Sequence, residues 1–146
     1  MKISVGGTLD NLSSTLSGAI LLAFGIQKAI YLAFSQWDLG RLDPVLAIDK
    51  IWLQLFFSPI EIVSGLLIIL FAKHSWTSYL MTAIGGGFVL YRITYSASGS
   101  DETCACLAFT HDLTKFQQYY MNSSLTTIAY FILIVGCYRT LLKIRA

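Results

Sequence analysis

Cys104 and Cys106 stand one residue apart in a polar stretch that opens with Gly-Ser-Asp-Glu-Thr at 99–103. Two thiols at this spacing close only a small disulfide ring. Departure from relaxed disulfide geometry makes the bond easier to reduce, and so short a loop contributes little closure entropy. The pair therefore suits a redox couple better than a staple. Four readings stay open: free thiols without a role, an inert local disulfide, half of a metal site, and a couple that exchanges with a partner thiol. A zinc site takes four ligands, and only His111 and Asp112 stand near as further donors. Two thiolates suit Cu(I), but no Met-rich run accompanies them. No metal is assigned. Cys137 lies in an apolar run far from the pair and reads as a small packing residue.

Lys28, Glu61 and Arg92 stand inside or at the end of apolar runs. Ionisable groups in such places are costly and are kept for function or for pairing. Counting back along helices at 1.5 Å per residue places Lys28 and Glu61 within about 6 Å of the same depth. Both side chains are long enough to meet, and a pair offsets much of the burial cost of each. Gln27, Gln54, Ser58, Ser64, Tyr91, Thr94, Thr126 and Thr127 fall at this level, and Pro59 precedes Glu61 by two positions. The expectation is a polar pocket beneath the cysteine pair, with Lys28, Glu61 and Arg92 in support. A helix-locking ion pair without chemistry is the alternative. Arg92 reaches either for the interface or for an acid.

Apolar residues make up 55% of the 146 residues and charged ones 12%. Soluble domains carry roughly 25% charged residues, so this chain has too few to cover a water-facing surface. The net charge of +2 is too small to suggest a nucleic-acid partner. A spanning helix needs roughly 20 mainly apolar residues, and stretches 14–34, 51–72, 76–95 and 123–142 qualify. The third is the weakest, holding Gly85, Gly86, Gly87 and Arg92. The glycines, with Gly18, Gly25 and Gly65, are expected at helix contacts, where small residues allow close approach. No cleavage site follows the first apolar run, which reads as a retained helix.

The fold expected is all-α, a single four-helix up-down bundle within a lipid bilayer, with 73–75 as a tight turn. Lys2, Lys73, Arg139, Lys143 and Arg145 outnumber Arg41, Lys50 and Lys115 on the opposite side. That bias places both termini in the cytoplasm. Loops 35–50 and 96–122 then face outward, the second carrying the cysteine pair into a compartment where disulfides persist. Trp37, Trp52, Trp76, Tyr119 and Tyr120 sit at expected helix ends, as interfacial belts require. Leu107, Leu113, Phe116 and Tyr120 would share one face of a short helix lying on the membrane.

These residues together resemble the DoxX-like superfamily, and within it the MauE-type membrane proteins of methylamine utilisation. Gly25-Ile26-Gln27-Lys28 is similar to the family's G-x-x-K. Pro59-Ile60-Glu61 followed by Gly65 is similar to its proline-glutamate-glycine element, and Cys104-Ala105-Cys106 to its C-x-C. Asn122 stands where the family often opens its fourth helix. Leu107-Ala108 depart from the aromatic or glycine and then glycine that usually follow C-x-C. The resemblance implies a bacterial inner-membrane protein of periplasmic thiol–disulfide handling, with a thioredoxin-like partner. Cys104 and Cys106 would do the exchange. Without a haem, flavin or iron–sulfur motif, a quinone is the carrier expected for onward electrons. The alternative function is a non-catalytic subunit that anchors a larger membrane complex.

Overall fold

The computed structural model describes residues 5–34, 42–99 and 115–144. Within them are four helices: α1 (Val5–Phe34), α2 (Lys50–Leu70), α3 (Trp76–Ala97) and α4 (Lys115–Ile144). Among the described residues no strand forms, and a lone bridge joins Leu42 to Asp49. Asn11–Ile30, Lys50–Leu70 and Ser123–Leu142 are long and apolar enough to cross a membrane. α3 has the length, at 22 residues, but is not among the helices that meet the apolar criterion.

Two helices outrun the spans expected from apolar residues alone. α1 begins at Val5 rather than 14, and α4 at Lys115 rather than 123. Apolar length measures what lipid can cover, whereas a helix continues for as long as its backbone bonds do. Local hydroxyls fit this polar part: Thr15 donates to the Asn11 carbonyl (2.9 Å) and Ser124 to that of Tyr120 (2.8 Å). Asn122 thus lies within α4 rather than at its start. From Lys115 onward, the expected surface-lying helix is instead continuous with α4, and 107–114 fall outside the described residues.

The inward faces repeat at helical spacing. On α1 they are Ser14, Ser17, Gly18, Leu21, Gly25 and Lys28, and on α2 Gln54, Ser58, Glu61, Ser64, Gly65 and Ile68. The outward faces hold the bulk: Phe56 is 65% exposed, Leu70 65%, Leu90 66% and Ile134 63%. Leu21, Ile68, Met81 and Ile132, one from each helix, form the central apolar cluster.

α1 packs closely on α2 and α3 on α4, while contacts between the two pairs are sparse. Close packing depends on missing side chains. A Cβ at Gly65 would lie 2.6 Å from the Leu22 nitrogen, and one at Gly85 2.7 Å from the Leu133 nitrogen. Polar bonds mark the two ends of the bundle. At one end Tyr91 of α3 donates to Asp43 beside the start of α2, and Arg92 reaches Thr126 of α4. At the other, Arg139 of α4 donates to Ser14 of α1 and to the Ala72 carbonyl (2.8 Å) in the α2–α3 turn. Neighbouring helices therefore run antiparallel. Cys137, half-buried and a free thiol, lies toward this second end.

Candidate functional site

Lys28 and Glu61 meet. The Lys28 Nζ donates to Glu61 Oε1 across the α1–α2 contact. Their side chains are 5% and 3% exposed. Glycine spacing brings them together: Gly25 lets α1 come so near α2 that Ser58 donates to its carbonyl at 2.8 Å. Lys28 and Glu61 each stand three residues further along their own helix. Pro59 provides no N–H, so the Leu55 carbonyl receives no helical bond from that position. The ammonium also lies 5.8 Å from the centre of the Phe88 ring on α3, a cation–π distance.

Glu61 Oε2 is buried and has no hydrogen-bond partner. Buried carboxylate oxygens are ordinarily satisfied, so this orphan marks the site. Beside the pair, between α2 and α3, lies a cavity of about 440 Å³, lined in part by Lys28, Glu61, Phe57, Ile84, Gly87 and Tyr91. A second, of about 40 Å³, lies toward α4 and touches Lys28, Glu61, Phe88 and Arg92. The ion pair and Phe88 form the wall between the two.

The cavity wall is largely apolar, with Lys28, Glu61, Gln54, Tyr91 and Thr94 as its polar members. Gln54, Ser58 and Ser64 are buried, while Thr94 and Thr127 are exposed. Arg92 turns inward to α4, where Nη2 and Nε donate to Thr126 Oγ1 at 3.1 and 3.3 Å. Its guanidinium is tied to α4 rather than snorkelling outward. Cys104 and Cys106, with His111 and Asp112, lie outside the described residues. Their segment joins Gly99 of the α3 end to Lys115 of α4, at the same end as the cavity. Among the described residues no three of His, Cys, Asp and Glu come together as a metal site.

Three participants escape a reading of residue types. Asp43 is buried, 1% exposed. Its Oδ1 accepts from the Val45 and Leu46 N–H groups, each at 3.0 Å, and its Oδ2 accepts from Tyr91. The Asp-Pro at 43–44 is the local signal for such a turn. The turn brings Val45 and Leu46 into the cavity lining. Gly87 was expected at a helix contact, but a Cβ there would meet nothing within 4 Å; it faces the cavity. Arg139, counted above among solvent-facing cations, is 5% exposed. Its removal weakens the charge bias, because a guanidinium tied to Ser14 and Ala72 serves packing rather than orientation.

No protein-family model, no curated protein and no solved structure matches this chain.

Proposed function

We propose that this chain is an integral membrane protein of thiol–disulfide exchange, with Cys104 and Cys106 as the reacting pair and the Lys28–Glu61 site beneath them. One observation carries the reading: an ion pair is sealed inside helices whose bulk faces outward, at the end from which the cysteine segment leaves. Large exposed apolar residues on all four helices favour lipid over water as the surrounding solvent. Trp52 and Tyr120 near one end and Trp76 near the other are exposed, as interfacial anchors are.

In the exchange, one thiolate of the pair attacks a sulfur of the partner's disulfide and displaces the partner's other sulfur as thiolate. The second cysteine then attacks the mixed disulfide. The partner leaves as a dithiol, and Cys104 and Cys106 remain joined. The dithiol returns when two electrons and two protons arrive from the next partner, or the sequence runs in reverse. Oxidation of the dithiol by a quinone would balance in the same way, leaving the disulfide and a hydroquinone. The partner is a thioredoxin-like protein on the outer side of a bacterial inner membrane, with both termini of the chain cytoplasmic.

The test labels intact cells with a membrane-impermeant maleimide, with and without mild reductant. Labelling of Cys104 and Cys106 only after reduction is expected. Absence of labelling in both conditions, or full exchange activity in both Cys104→Ser and Cys106→Ser, excludes the reading. Activity-neutral cysteine variants that co-purify with a stable complex would instead establish an anchoring subunit.

A further inference from the structure

We propose that the cavity between α2 and α3 binds a neutral, mainly apolar molecule of the phenol or hydroquinone class, whose hydroxyl donates to Oε2 of Glu61. The inference rests on the membrane reading above, but not on the cysteine chemistry.

The acceptor comes first. Oε2 is buried without a donor, although Oε1 is held by Lys28. A carboxylate only accepts, so what completes the site must bring an N–H or O–H. The ion pair has no net charge, and the cavity walls are mostly hydrocarbon. A charged ligand would be desolvated there without a counter-charge of its own, so the donor is neutral. Phe57, Phe88 and Tyr91 supply aromatic walls, which pack well on a flat ring. A cavity of about 440 Å³ falls within the range of small-molecule sites, roughly 300–1,000 Å³.

Access is from the side. Ile60 and Leu90 are 40% and 66% exposed and belong to the lining, so the rim opens between α2 and α3 toward the surroundings of the bundle. Gly87 keeps that opening wide. A lipid-soluble ligand enters from the bilayer without crossing water. The same geometry sorts redox states: a hydroquinone carries the O–H that Oε2 lacks, whereas a quinone offers only carbonyl acceptors. The site therefore favours the reduced form.

The full chain in lipid nanodiscs, with empty nanodiscs subtracted, is titrated with 4-nonylphenol and with its methyl ether. Saturable binding of the phenol is expected, and binding weaker by about tenfold or more for the ether, as loss of one buried hydrogen bond implies. Gly87→Leu fills the cavity where a side chain meets no neighbour, so it should fold with native helicity and lose the phenol. Decylhydroquinone should displace the phenol at lower concentration than decylquinone. Equal binding of phenol and ether overturns the proposal, as does phenol binding undiminished in a folded Gly87→Leu variant. A Cys104→Ser/Cys106→Ser double variant should still bind the phenol. Loss of phenol binding in the wild-type chain would thus sink this inference alone, and loss of cysteine reactivity the exchange reading alone.

Discussion

Lys28 and Glu61 differ from the other polar residues because each is tolerable only with the other. Glu61→Ala would leave an ammonium that is 4% exposed without its counter-ion. Breaking a buried pair in this way costs about 3–5 kcal/mol. Replacing both, as Lys28→Met with Glu61→Leu, should recover most of that stability. Unfolding of the purified variants in mixed micelles checks both expectations. Tyr91→Phe should be milder, at about 1–3 kcal/mol, because Asp43 keeps its two backbone donors. The same unfolding curves would show it. The Lys28–Glu61 meeting was legible in the sequence because helix rise converts residue number into depth. The Asp43–Tyr91 and Arg139–Ala72 bonds were not. Their partners are 48 and 67 positions away, and in one case the acceptor is a backbone carbonyl, which no residue type announces.

Helices that touch through glycine are intolerant at one position and indifferent at another, and the structure separates the two. At Gly65 a side chain would strike the backbone of α1, which has no rotamer by which to yield. Gly65→Val should therefore cost about 3 kcal/mol or more, as overpacking at a backbone contact does, and should shift α1 against α2. Gly87→Ala should leave stability within about 0.5 kcal/mol. Thermal unfolding in one detergent compares them directly. Apolar pattern located all four helices but misjudged the ends of α1 and α4, because hydropathy reports on solvent and not on the backbone ladder. It also could not tell Gly87 from Gly85. Two positions along a helix turn a residue by about 200°, and only the neighbours of α3 decide which direction is packed.

Among the described residues, burial departs from that of a water-soluble bundle: serines and glycines share the inside with an apolar cluster, and many leucines and isoleucines lie on the outside. Apolar content and low charge made the long apolar helices legible, and the antiparallel order followed from the short turn expected at 73–75. Which helices pair tightly was not legible, since every glycine looks alike in sequence. With Arg139 drawn into the packing, the charge bias behind the proposed orientation rests on fewer cations. Arg139→Met should leave sidedness unchanged while loosening the end where α1, α4 and the α2–α3 turn meet. Protease access to a tag at each terminus, read alongside unfolding, separates the two effects. The uneven contact between helices has a further consequence. Each close pair, α1 with α2 and α3 with α4, holds most of its own contacts, and the tether between them, 71–75, is five residues long. A chain cut between His74 and Ser75 would yield two fragments, each a nearly complete packing unit. Co-expressed, the halves should find each other in the bilayer and restore the whole, whereas a cut within α2 should not be rescued.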